Sequence, residues 1–162
     1  MDVTDLSQVV SRLVDGNYTV STAESCTGGM IASTIVDVPG ASDCFNEGYV
    51  TYSNEAKMKN LGVKDSTLLA HGAVSIETAT EMAKGVRVKA KSDFGLSSTG
   101  IAGPGGGSPQ KPVGLVFIAC AYGDNKCTVK ELHLKGNRTE VRKSATKEAL
   151  LLLEECIVKV EE

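Results

Sequence analysis

The chain lacks an excess of positive charge: 17 Lys and Arg stand against 20 Asp and Glu, for a formal net charge of −3. A polyphosphate backbone finds no surplus of cations here, so nucleic acid is not an expected partner. No apolar run approaches the ~20 residues needed to cross a bilayer. Val113–Tyr122 and Leu150–Leu153 are among the longest, and no membrane association is expected. Met1-Asp2-Val3-Thr4-Asp5 has neither the positive region nor the apolar stretch of a secretory signal, which makes the cytoplasm the expected location. There is no C-x-x-C pair. The five cysteines (Cys26, Cys44, Cys120, Cys127, Cys156) are odd in number and scattered, which suits neither a disulfide framework nor a zinc site. Cys120 and Cys156 fall inside apolar patterns and read as small core residues.

What is present is enough for one domain spanning residues 1–162, with 41% of residues hydrophobic. Leu6, Val9, Val10 and Leu13 recur at helical spacing and give a short amphipathic helix ending near Gly16. Tyr18 to Ala23 alternates as a strand and runs into Glu24-Ser25-Cys26-Thr27-Gly28-Gly29 before a helix over Met30 to Val36. Phe45 to Tyr52 reads as a second strand, with short helices from Ser53 to Gly62 and from Asp65 to Ala70. Ser75 caps a helix running to Lys91 with Ala79, Met82, Ala83, Val86 and Ala90 as its apolar stripe. Phe94 to Thr99 is a third strand. Val113 to Tyr122 is apolar on both alternating faces, as expected of an interior strand, and turns at Gly123-Asp124-Asn125 into a hairpin partner over Lys126 to Lys135. Asn137-Arg138-Thr139-Glu140 is a capping-box pattern opening a long helix whose buried side runs from Val141 to Val160. Helices around a sheet of mixed direction predict an α/β fold, a three-layer α/β/α sandwich.

Three places could carry chemistry. The elbow from Glu24 to Gly29 puts hydroxyls where a strand ends and a helix begins, with unpaired helix N–H groups that suit an anion. It is neither a P-loop nor a G-x-S-x-G elbow, and a plain N-cap reading fits its spacing equally well. The loop from Thr99 to Gly107, rich in glycine and stiffened by Pro104, leaves a buried strand without a following helix, which excludes a dinucleotide fingerprint but suits a ligand. Arg138 and Arg142 place positive charge in the first turns of the last helix, against its macrodipole. They read either as an anion clamp or as a solvated face paired to Glu140 or Glu24. A hydrolytic serine needs a base. His71 and His133 fall away from the elbow, which leaves Lys57, one turn into the helix after Tyr52, as the other candidate; a surface charge is its bland alternative.

Thr22-Ala23-Glu24-Ser25-Cys26-Thr27-Gly28-Gly29, Tyr52-Ser53-Asn54-Glu55-Ala56-Lys57 with Leu61-Gly62-Val63, Gly72-Ala73-Val74-Ser75, Thr99-Gly100-Ile101-Ala102-Gly103-Pro104-Gly105-Gly106 and Pro112-Val113-Gly114 stand in this order. Together they resemble the C-terminal domain family of competence-damage-inducible protein A, the nicotinamide mononucleotide deamidases, from about Leu6 to Leu153. The resemblance implies hydrolysis of the carboxamide of nicotinamide mononucleotide to nicotinic acid mononucleotide and ammonia, with no metal and no organic cofactor. It implies Ser25 as nucleophile, with Tyr52 and Lys57 completing a set for proton transfer. Thr27, Gly28, Gly29, Asn54, Thr99, Gly100, Ala102 and Gly103 would meet substrate, and Arg142, with Arg138 beside it, would meet the 5′-phosphate. A homodimer or higher homo-oligomer is implied too, as is the absence of the pyrophosphatase activity associated with an additional N-terminal domain in many relatives.

Two alternatives stay open at this level. Cys26 follows Ser25, and a thiolate with its pKa lowered at a helix N-terminus is the stronger attacker; adjacent residues in an extended elbow face opposite ways, so only one of the two should reach a pocket. The second alternative is a module that binds a nucleotide or phosphometabolite in a competence or DNA-damage response without turning it over.

Overall fold

The computed structural model describes residues 3–162, with side chains from residue 6 onward; Met1 and Asp2, part of the stretch read for a secretory signal, lie outside. The chain runs α1 (Val3–Asp15), β1 (Val20–Glu24), α2 (Met30–Val36), a single 3-10 turn (Ala41–Asp43), β2 (Phe45–Val50), α3 (Asn54–Leu61), α4 (Asp65–His71), α5 (Ile76–Ala90), β3 (Phe94–Gly100), β4 (Leu115–Tyr122), β5 (Lys126–His133) and α6 (Arg138–Glu161). One five-stranded sheet, in the order β2-β1-β3-β4-β5, organises these elements. The pairs β1/β2 and β1/β3 are parallel, while β3/β4 and β4/β5 are antiparallel, so the sheet is mixed as expected.

The alternation in β4 explains the layers. Val116, Ile118, Cys120 and Tyr122 pack with α1, α2 and α6 on one face, in a core that also holds Leu13, Ile31, Leu152 and Cys156. Leu115, Phe117, Ala119 and Ala121 meet Ala79 and Ala83 of α5 on the other. Beside them Ala23, Leu61, Leu68, Met82 and Val86 join β1, α3, α4 and α5. Every residue of β4 is buried, which is what a strand covered from both sides requires. Gly85 lets α5 close on α3: a Cβ there would stand 1.9 Å from the Leu61 carbonyl oxygen. The end of the last helix departs from its expected stripe, since Val160 is 38% exposed. Among the described residues no helix is long and apolar enough to cross a membrane.

Topology then decides where a site can form. From β1 the chain passes through α2 to β2 on one side, and from β2 through α3, α4 and α5 to β3 on the other. The crevice outside the carboxyl ends of β1 and β3 is therefore a switch point, where open α/β sheets bind ligands. Antiparallel β4 starts at that same end, opposite Gly100, and β5 finishes there opposite Leu115. Leu134 N–H donates to the Gly114 carbonyl (2.8 Å), so α6 also begins beside the crevice. The arginines of its first turns, over 110 residues from the elbow in sequence, are delivered to it by this hairpin.

Candidate active site

The elbow after β1 is built around a buried carboxylate. Glu24 accepts from Thr27 Oγ1 (2.6 Å) and from the backbone N–H groups of Ile31 (2.9 Å) and Ala32 (3.1 Å). Negative charge at a helix N-terminus is favourable, and this one, not a ligand anion as the elbow's spacing suggests, occupies the donors of α2. Thr27 Oγ1 also bonds Ser98 Oγ (2.7 Å), tying the elbow to β3, and Ser25 N–H extends the β1/β3 ladder by donating to the Ser98 carbonyl (2.9 Å). The chain leaves the extended conformation at Ser25, and Gly28 N–H closes a turn back onto the Ser25 carbonyl (3.1 Å).

Lys57 reaches this turn from α3. Ser53 caps that helix by accepting from Ala56 N–H (3.0 Å), which places Lys57 on its inner side, and Lys57 is 1% exposed. Its Nζ donates to Ser25 Oγ (3.1 Å) and to the Thr51 carbonyl (2.9 Å), and among the described residues no carboxylate pairs with it. Burial lowers its pKa from the ordinary lysine value, with nearby Cys26 acting weakly in the other direction. A lysine that loses its proton more readily, in hydrogen-bond contact with a serine hydroxyl, is the arrangement that activates a serine.

Cys26 is set up differently. Burial pushes its thiol up to about 11, against smaller opposing effects of its own backbone N–H and Arg142, so the thiolate is scarce at neutral pH. Both Ser25 and Cys26 line the same cavity of about 280 Å³. The expected either-or between them fails because the elbow is a turn at these residues and strand alternation does not extend through it.

The rest of that cavity joins the pieces the sequence had kept apart. Tyr52 and Asn54 stand at one wall, Thr99, Gly100, Ala102 and Gly103 at another, and Arg138 closes it from α6. Thr99 is buried and its hydroxyl donates to the Ala73 carbonyl (2.8 Å). Arg138 Nη1 donates to the Gly103 carbonyl (2.8 Å) and Nη2 to Tyr52 Oη (3.0 Å), so one guanidinium staples the glycine loop to the β2–α3 junction. Tyr52 is 63% exposed, and its hydroxyl bonds this arginine instead of Ser25 or Lys57.

Four expected substrate contacts lie outside the cavity. Thr27 is wholly buried between Glu24 and Ser98, and Gly28 and Gly29, both at positive φ, form the turn behind it. Arg142 turns its donors to the elbow itself, Nε to the Cys26 carbonyl (2.9 Å) and Nη2 to the Thr27 carbonyl (3.0 Å), because its place one helical turn beyond Arg138 sets it behind the turn. Neither arginine pairs with Glu140, which completes the capping box with Asn137. The sequence reading missed the anchoring role of Glu24 and the contribution of Ala73 and Val74 to the cavity wall. Their signals were present: an acid ending a buried strand beside three hydroxyl residues, and a Gly72-to-Ser75 link between helices. A larger groove of about 550 Å³ between α1, α2 and α6 is lined mainly by apolar atoms of residues such as Leu6, Met30, Val38 and Leu150, with no serine–lysine pair, so volume does not choose the site.

A family model described as the CinA C-terminal domain matches residues 4–157. The chain is 61% identical over 143 residues to a competence-damage inducible protein of Caldanaerobacter subterraneus subsp. tengcongensis, a match covering 88% of this chain and 34% of the relative. It thus spans about a third of the length of the curated relatives it matches. Among solved structures, the competence/damage inducible protein CihA from Agrobacterium tumefaciens superimposes with a TM-score of 0.88 at 40% identity, covering 93% of this chain and 94% of that one. A CinA superfamily protein from Klebsiella pneumoniae superimposes at 0.91 with 30% identity, over 98% and 99% of the two chains.

Proposed function

This chain belongs to the CinA C-terminal domain family, and on that footing we propose that it is an amidohydrolase that converts nicotinamide mononucleotide to nicotinic acid mononucleotide and ammonia through Ser25. The observation that carries this reading is the 3.1 Å contact between a buried Lys57 amine and the Ser25 hydroxyl at the wall of a cavity that Arg138 closes.

The chemistry follows from those positions. Neutral Lys57 takes the Ser25 proton as Oγ adds to the carboxamide carbon, giving a tetrahedral oxyanion. Ser25 N–H is engaged by the Ser98 carbonyl and Gly28 N–H by the Ser25 carbonyl, and of the turn residues only Ser25 and Cys26 line the cavity, so the Cys26 N–H is the backbone donor left there to meet that oxyanion. One such donor is typically worth about 3–4 kcal/mol of barrier. Lys57 returns its proton to the departing nitrogen, so the C–N bond breaks to ammonia and an ester remains on Ser25. Water, deprotonated by the same lysine, adds to the ester; the C–Oγ bond breaks, Ser25 recovers its proton and the carboxylic acid leaves. Arg138 brings a guanidinium to the cavity from α6 and takes the 5′-phosphate, with Tyr52 fixing the guanidinium plane.

The test is ammonia release from nicotinamide mononucleotide, its riboside, free nicotinamide and the intact dinucleotide. The mononucleotide should be cleaved best. Binding of the mononucleotide, seen as a thermal shift, without any ammonia would favour a binding module, and equal cleavage of the riboside would remove the phosphate from recognition.

A further inference from the structure

We propose that Arg142 is a positioning residue, which holds the nucleophile turn in its reactive shape without touching substrate. The inference rests on Ser25 as nucleophile but not on the identity of the amide.

The geometry is specific. A guanidinium presents donors in a rigid planar fork, and here the fork spans two consecutive carbonyls, those of Cys26 and Thr27, across 116 and 115 residues of sequence. Because a trans peptide is planar with its N–H opposed to its C=O, fixing these two oxygens on the α6 side turns the Thr27 and Gly28 N–H groups the other way. Gly28 N–H is then placed to donate to the Ser25 carbonyl (3.1 Å), which closes the turn, while Thr27 N–H is left free. The turn is gripped from both sides: the Glu24 carboxylate takes N–H groups at the start of α2, and Arg142 takes the carbonyls before it. Gly28 shows how close the grip is. A Cβ there would stand 3.1 Å from Arg142 Nη2, on a backbone at φ +56° that already favours glycine. Arg142 has no acidic partner among the described residues, so the carbonyl oxygens are what stabilise a cation in the second turn of a helix, where the macrodipole disfavours it.

The experiment separates positioning from phosphate binding by using a reagent with no nucleotide. An alkyl fluorophosphonate labels an activated serine as Oγ bonds phosphorus, fluoride leaves and the hydroxyl proton passes to Lys57. Labelling rates at Ser25, together with kcat and KM for nicotinamide mononucleotide, are measured for the wild type, Arg142→Ala and Arg142→Lys, with Ser25→Ala as the blank. Arg142→Ala should label roughly 10²-fold more slowly, the scale expected when a reacting group is displaced by about 1 Å. Its KM should stay within about twofold of the wild type. Arg142→Lys, a single-point donor, should fall between, and added ethylguanidinium should restore part of the rate to Arg142→Ala. If Arg142→Ala does not fold, the wild-type and Arg142→Lys rates carry the comparison. Labelling of the arginine variants at the wild-type rate, or a rise in KM alone, overturns the proposal and returns Arg142 to the phosphate. Wild-type enzyme that labels at Ser25 but releases no ammonia from the mononucleotide defeats the substrate reading and leaves the role of Arg142 standing; wild-type enzyme that does not label defeats both.

Discussion

Replacing Lys57 with methionine should slow turnover by orders of magnitude and at the same time stabilise the fold. Methionine keeps most of the lysine stem but removes a buried cation whose partners are Ser25 Oγ and the Thr51 carbonyl. Two hydrogen bonds are lost, at about 1 kcal/mol each, while an ion without a counter-charge, costing several kcal/mol to desolvate, disappears. The net gain is about 1–3 kcal/mol, and in a domain of this size each kcal/mol shifts Tm by roughly 2–4 °C. The gain must also depend on pH. Lys57 has its folded pKa lowered by burial, so between that value and the unfolded ~10.4 the unfolded chain binds more protons than the native one, and wild-type stability rises with pH. The advantage of Lys57→Met is therefore full below the lowered pKa, shrinks as pH climbs toward ~10.4 and is constant above it. Loss of a positioned base should lower kcat by roughly 10²–10⁴. Thermal unfolding across a pH series and ammonia release test both halves. A variant that melts lower than the wild type at every pH, a pH-independent gap, or retained turnover would mean that Lys57 is neither a buried unpaired cation nor the base.

Arg138→Ala should raise KM for nicotinamide mononucleotide roughly 10- to 100-fold, the worth of about 1.5–3 kcal/mol of charge-assisted bonding, and change the riboside far less, the smaller effect there reporting loss of the staple between Gly103 and Tyr52. Cys26→Ala should keep most turnover, since a thiol held near 11 contributes no attacking anion at neutral pH; loss of activity there with Ser25→Ala still active would reassign the nucleophile. Gly85→Ala forces a methyl against the Leu61 backbone and should cost at least about 1–3 kcal/mol in denaturant unfolding, with the same cavity chemistry in whatever folds. Unchanged stability would mean that α3 and α5 are not in the contact described.

Much of the fold could be read from pattern alone, and the reason is periodicity. The unbroken apolar run of β4, bounded by Pro112 and Gly123, reads as an interior strand, and the Ser75 cap marks the start of α5; both elements appear, the strand two residues shorter at its start than the run from Val113. Boundaries slipped where local conformation competed with pattern: β1 begins at Val20, not Tyr18, because Asn17 turns the chain at φ +57° and Tyr18 packs edge-on against Phe94. The 3-10 turn at Ala41–Asp43 carries no periodic signal and went unread. Within the site, Ser25 and Lys57 were legible because each sits at a marked strand–helix junction. The two arginines were not separable, since residues one helical turn apart look alike until the sheet places one at a cavity and the other behind a turn. The anchoring role of Glu24 is hidden for a similar reason: the helix donors it fills belong to residues seven and eight positions later, and nothing local reveals that the strand end folds back onto them.

Ser25, activated by Lys57, should carry the acyl group of the substrate during turnover. Intact-protein and peptide mass spectrometry on enzyme quenched in acid while hydrolysing nicotinamide mononucleotide reads that covalent state itself. An adduct equal to the substrate less ammonia is expected, located on Ser25 and absent from Ser25→Ala. An adduct on Cys26, or undiminished ammonia release by Ser25→Ala, would contradict it.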